Sequence, residues 1–263
     1  MNPAHFTRPR TSKASWAARH QKVLQRRHTR KPPKGFVLVI GSSHGCEHHH
    51  FPQLFNKHFL NNTNYHTPTY LCKGGRLLTS LQTNSTDAAI GSTKLIEDFL
   101  KLHASPAHKC IVILLLGSND LRQNSSQLKS MRACTIATLQ RVSTFDNSFV
   151  LFPEPILSPG PVQRTLPHAH SNLTKKYILQ FNNTLSNNHS RNAQQHDLFW
   201  SYLKLTAQQS VILRIVATTS FLCSKKLQCS QAFFTKQGIH LTHAGATALA
   251  MRIWNGLNTT KFI

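Results

Sequence analysis

The chain has 263 residues and carries 31 Lys and Arg against 8 Asp and Glu, a formal charge of +23. That length suits one large α/β domain with a tail better than two full domains, and the charge favours polyanionic partners such as nucleic acid or an anionic membrane surface. The longest apolar runs, Phe36 to Ile40 and Ile111 to Leu116, fall far short of the roughly 18 residues that a membrane span needs, so no transmembrane segment is expected.

Residues 1–35 hold ten Lys or Arg and no acid, and they finish in Arg30-Lys31-Pro32-Pro33-Lys34-Gly35. This composition reads as a disordered basic arm with a stiff proline linker, with a short helix around Ser15 to Arg26 as its one structured candidate. A nucleic-acid arm, a nuclear localisation signal at Gln25 to Lys31 and an acid-free mitochondrial transit peptide compete for it, against the plain alternative of a solvated tail. No apolar signal region follows the start, which predicts an intracellular protein, cytoplasmic or nuclear, with mitochondrial import the third option. Its six cysteines are then expected reduced, with Cys72 and Cys110 as small buried hydrophobes, and the sequons at Asn84, Asn172 and Asn258 unmodified.

From Phe36 onward strand and helix patterns alternate. Phe36 to Ile40 and Cys110 to Leu116 are continuous apolar runs, as in strands buried on both faces. Between them Leu95, Ile96, Phe99, Leu100 and Leu102 recur at helical spacing behind Ser92-Thr93. Leu128, Met131, Leu139 and Val142 predict a further helix, Ser148 to Phe152 a third strand, Asn172 to about Ser186 a polar helix, and Gly245 to Leu257 a closing amphipathic one. Residues 197–235 are left unassigned. The alternation predicts a parallel sheet covered on both sides, in two parts: an arm at 1–35 and a domain at 36–263.

Gly41-Ser42-Ser43-His44-Gly45 satisfies G-x-S-x-G with Ser43 at the turn, yet only the basic arm precedes it, whereas a nucleophile elbow of the α/β-hydrolase kind follows several strands. Other residues matter more. Lys73-Gly74-Gly75-Arg76 comes next, Gly117-Ser118-Asn119-Asp120 ends the second apolar strand, and Gly238-Ile239-His240-Leu241-Thr242-His243-Ala244-Gly245 leads into the last helix.

This set and its order resemble the SGNH hydrolase superfamily, the GDSL-type esterases, over residues 36 to about 258. The wording around GSSH and GSND, with a basic arm ahead of it, is also similar to SGNH-like domains carried by some retrotransposons. The resemblance implies a three-layer α/β/α sandwich on a parallel, flavodoxin-like sheet, and hydrolysis of a small ester or acyl substrate without a cofactor. Carried over by position, Ser43 is the nucleophile and His240 the general base. Gly75, with Gly74 as the lesser alternative, joins Asn119 and the Ser43 amide in the oxyanion hole.

Two positions depart from the pattern. Ser42 replaces the Asp ahead of the serine, and Gln237 stands where the triad Asp is found, three residues before His240. A neutral amide can accept the imidazole N–H and orient the ring, but it cannot stabilise imidazolium as a carboxylate does. A Ser-His dyad, a substitute acid such as Asp197 or Glu154, or loss of catalysis are the open outcomes. The competing function is a nucleic-acid-binding accessory protein of a mobile element with a partly vestigial hydrolase fold. His44 and His48 would lie one helical turn apart if a helix followed Ser43, too few ligands for a metal, so none is expected. His243 is a weaker candidate base. Asp120 is expected to fix its loop, and Phe233 and Phe234 to serve as core or pocket wall.

Overall fold

The computed structural model describes residues 35–45, 50–82, 93–123, 127–157, 172–222, 232–235 and 240–259, with backbone only at 123, 172–189, 220 and 221. The basic arm up to Lys34, the sequon at Asn84, Ser92, His48 and Gln237 lie outside the described residues.

Five strands form one sheet: β1 Gly35–Gly41, β2 Thr69–Cys72, β3 Lys109–Leu115, β4 Ser148–Pro153 and β5 Leu213–Val216. Every pairing is parallel and the order is β2-β1-β3-β4-β5, the flavodoxin-like arrangement. The helices are α1 Phe51–Asn62, α2 Thr93–His103, α3 Asp120–Gln123, α4 Gln127–Val142, α5 Asn172–Gln209, α6 Thr219–Leu222 and α7 His243–Thr259. Gly35 is the first strand residue, one position before the predicted start. No described helix is long and apolar enough to cross a membrane.

Two apolar cores explain the unbroken apolar strands. Val37, Val39, Ile111 and Ile113 face one way, onto α1 and α7, while Leu38, Ile40, Val112 and Leu114 face the other, onto α2, α4 and α5. With helices on both faces, alternate residues are buried in turn, so no polar stripe remains. On the first side Phe51, Phe55 and Phe59 recur every fourth residue along α1 and stack at 5.6 and 5.3 Å, with Tyr65 and Trp254 of α7 meeting Phe59 edge-on.

Three assignments change. The polar helix continues past Ser186 to Gln209, because the stretch contains no Gly or Pro to stop it and Phe199, Trp200 and Leu203 supply a late apolar face that buries on the sheet. Residues 197–235 resolve, where described, into the end of that helix, edge strand β5, the short α6 and a loop at 232–235. Helix α1 and edge strand β2 are additions that the apolar pattern does not predict.

At the amino-terminal end of β1, Phe36 is stacked between His66 at 4.3 Å and His103 at 4.1 Å, with His108 edge-on at 5.6 Å. Burial, then the charge of His66, lowers the pKa of His103. The unfolded chain therefore binds a proton at this residue before the folded chain does, and stability falls as pH drops through and below about 6.5. Urea denaturation at pH steps from 7.5 to 5 is expected to show that decline, flattened in His103→Phe; an equal slope in both proteins would assign it elsewhere.

Candidate active site

In an open parallel sheet the crevice forms at the carboxyl ends of the strands, where successive connections leave in opposite directions. Here that point lies between β1 and β3, since the chain leaves β1 for β2 on one side and then enters β3 on the other. The loops after β1, β2 and β3 carry Ser43, Gly75 and Asn119.

The Ser42 amide donates to the Leu115 carbonyl at 3.1 Å, and Ser43–Gly45 then forms a 3-10 turn. Ser43 is 9% exposed and His44 4%. The turn lies so close to β2 that a Cβ on Gly45 would stand 2.9 Å from Cys72 Sγ, so a larger residue there would have to displace the Cys72 side chain. From β2 the Lys73 amide donates to the Gly41 carbonyl at 3.0 Å, and the chain reverses through Gly74 and Gly75. Gly75 has φ +75°, the left-handed conformation that favours glycine, and open space where a side chain would be.

Asn119 Nδ2 donates to the Arg76 carbonyl at 3.1 Å, which seats the amide beside the Gly75 turn. Asp120 secures the same junction. Its buried carboxylate accepts the Leu78 amide at 2.7 Å, the Thr79 amide at 3.0 Å and the Thr79 hydroxyl at 2.8 Å, the loop-fixing role expected of it. Cys134 Sγ of α4 donates to the Leu78 carbonyl, and burial, then Asp120, pushes that thiol's pKa up to about 12. It is a protonated structural donor.

His240 enters from the far end of the chain. The Thr235 amide donates to its carbonyl at 2.8 Å, Phe234 and Leu241 form an antiparallel bridge, and the Thr242 hydroxyl caps α7 by accepting the Gly245 amide at 3.2 Å. Held in this way, the His240 ring meets the ring of His44 edge to face, centroids 6.4 Å apart. His44 follows Ser43 directly, so His240 stands at the end of β1. The ring of His243 instead meets His50 at 5.2 Å. Phe234 is buried and Phe233 lies partly buried against the core, as expected of wall residues.

The two substitute acids lie together about His196, and Glu154 also lines a small cavity with His44 and Ser118. Glu154, just past β4, accepts the Thr218 and Thr219 amides at 2.8 Å each, and its other oxygen lies 3.5 Å from His196 Nε2. Asp197, on an exposed side chain, stands 3.2 Å from His196 Nδ1. The buried pair of Glu154 and His196 joins β4 to α5 and α6. Among the described residues no group of three His, Cys, Asp or Glu is arranged to hold a metal ion.

A cleft of about 600 Å³ opens beside the Ser43 turn, lined by Gly45, residues of α1 and β2, Lys73 and Gly74. Its α1 and β2 residues are the ones that sequence reasoning missed. The every-fourth-residue phenylalanines of α1 were the available signal.

No family model matches the chain, and no curated protein matches it significantly. Solved structures do. A G-D-S-L family protein from Desulfitobacterium hafniense superposes with a TM-score of 0.55 at 10% identity, covering 84% of this chain and 98% of that one. A carbohydrate acetylesterase family member from Sinorhizobium meliloti gives 0.53 at 14%, covering 87% and 100%, and a GDSL-like lipase from Bacteroides thetaiotaomicron 0.51 at 10%, covering 92% and 98%. The architecture is therefore the three-layer fold of the SGNH hydrolases.

Proposed function

We propose that residues 36–263 form a serine acyl hydrolase of SGNH type, with Ser43 as nucleophile and His240 as general base. The observation that carries this reading is the edge-to-face contact of His44 and His240, which brings the base candidate to the turn that bears Ser43. A serine hydroxyl is a weak nucleophile until an imidazole takes its proton. As Ser43 Oγ bonds to the ester carbonyl carbon, His240 takes that proton and charge develops on the carbonyl oxygen. The amides of Ser43 and Gly75 meet it, together with the second N–H of Asn119, whose first is engaged by Arg76.

Collapse of the tetrahedral intermediate expels the alcohol, which takes the proton from His240. Water then attacks the acyl-enzyme, giving its proton to the same imidazole, and the acid leaves as Ser43 is re-protonated. No cofactor enters this scheme. Gln237 supports the reading of a slow dyad, because a neutral amide orients imidazole without stabilising imidazolium.

A fluorophosphonate probe tests the nucleophile without a known substrate. Incubated with the full chain, it is expected to phosphonylate the peptide containing Ser43, to label Ser43→Ala nowhere, and to react with His240→Ala at least about 100-fold more slowly. An adduct on another residue, or none at all, would remove the proposal.

A further inference from the structure

The cleft beside Ser43 has a one-sided chemistry. Its wall offers the Lys73 ammonium, the carboxamides of Gln53 and Asn56 from α1, and the hydroxyls of Thr67 and Tyr70. The Tyr70 hydroxyl donates to Asn56 Oδ1 at 2.8 Å, so Asn56 has its N–H₂ to offer a ligand. Burial first, and Cys72 second, raise the Tyr70 pKa well above its ordinary range, so the phenol remains a donor.

Among the described residues no carboxylate lines the cleft. Glu97 is paired with Lys101 and Arg141, and Asp120 and Glu154 are held by the amides described above. Among the described residues none pairs with Lys73. The lysine is exposed, but its backbone is anchored at both ends of the turn, through its amide to Gly41 and from the Arg76 amide to its carbonyl at 3.2 Å. Gly41 lies two residues before Ser43, so the charge belongs to the same loop junction as the proposed nucleophile.

We infer that this cleft receives an anionic group of the ester, so that the substrate class is an acyl ester bearing a carboxylate or similar oxyanion away from the bond that is cleaved. The inference rests on the hydrolase reading and specifies it. About 600 Å³ is within the range of ligand pockets, ample for a short anionic arm. The field of the Lys73 ammonium favours such an arm over a neutral one of equal size, and the carboxamide N–H groups of Gln53 and Asn56 and the Thr67 hydroxyl supply directed donors to its oxygens, while the Tyr70 hydroxyl is spent on orienting Asn56.

Two matched pairs of esters tell the acyl side from the alcohol side. On the acyl side, p-nitrophenyl hydrogen glutarate is compared with its methyl ester by release of p-nitrophenol. On the alcohol side, 4-acetoxybenzoate is compared with methyl 4-acetoxybenzoate by release of the phenol. For the full chain, kcat/KM is expected to favour the anion about fivefold in one pair, equivalent to roughly 1 kcal/mol. The ratio falls toward one in Lys73→Gln, inverts in Lys73→Glu and shrinks with added salt.

Ser43-dependent turnover with a ratio near one in both pairs, or a ratio that Lys73→Gln leaves intact, would overturn the inference and leave the hydrolase reading standing. If no turnover depends on Ser43, the hydrolase reading falls, and equilibrium binding of 4-acetoxybenzoate against its methyl ester decides the cleft alone. A preference for the anion that Lys73→Gln removes keeps the assignment, and equal binding overturns it.

Discussion

Alanine at Ser43 is expected to return hydrolysis of p-nitrophenyl acetate by the full chain to the uncatalysed background, and aspartate at Gln237 to raise it above that of the wild type. The first change removes the oxygen that becomes acylated, and no neighbouring group replaces it in the proposed scheme. The loss is expected to exceed about a thousandfold wherever the wild-type rate stands that far above background. The second change places a carboxylate where the resembling family has one. In the serine-protease template, exchanging that carboxylate for a neutral amide lowers kcat about 10⁴-fold, mostly because the amide selects the wrong tautomer.

The reverse exchange, in a sequence that carries glutamine at this position, is expected to recover less, about tenfold to a hundredfold. It should appear in kcat more than in KM, since imidazolium forms only as bond making begins. The double variant should stay at background. A rate in Gln237→Asp equal to that of the wild type would mean that another group already stabilises the His240 cation, or that His240 is not the base.

The second large effect concerns stability. Phe55→Ala removes the middle ring of the Phe51–Phe55–Phe59 stack, each member of which has 0% exposure. Truncating a buried phenylalanine costs about 3–5 kcal/mol, since the lost transfer free energy is joined by the cavity left behind. Against a total of about 5–15 kcal/mol for a typical domain, this leaves a marginal protein. Urea denaturation should show a lower midpoint at unchanged slope, with Phe55→Leu losing less than half as much. A midpoint within experimental error of the wild type would mean that α1 contributes little to the cooperative core. Because α1 also supplies Gln53 and Asn56, the same variant reports whether the cleft wall depends on that core.

Much of the sheet was legible before any coordinates. β1, β3 and β4 are buried on both faces and need continuous apolar residues, while α2, α4 and α7 each bury one stripe. The edges were harder to read. β2 is four residues long, half exposed and opened by Thr69 after Pro68, so neither alternation nor an apolar run marks it. β5 does lie in an apolar run, Ser210 to Val216, but a run that short does not separate a strand from a buried helical segment by periodicity. In α1 the aromatic repeat was present, but the His48-His49-His50 run before it and the Asn, Lys and His residues within it diluted the apolar average.

For the site, motif resemblance named Ser43, Gly75, Asn119 and His240, and the fold sets the loops of the first three at the carboxyl ends of neighbouring strands and brings His240 to the same end through His44. Of the two glycines in that turn, Gly75 holds the left-handed φ. The burial of His44 and the cleft itself were not readable, because both arise from contacts between segments far apart in sequence.

The pairing of α1 with α7 has a consequence for when chemistry can begin. Ser43 follows the first strand of the sheet, whereas His240 reaches it only when α7, capped by Thr242, settles against the aromatic stack of α1. During synthesis the ribosome releases the proposed nucleophile long before the proposed base. A nascent chain, or one cut between β5 and α7, therefore exposes the α1 phenylalanines and lacks its proton acceptor at the same moment. In the proposed scheme, completion of the core is therefore a condition for hydrolysis.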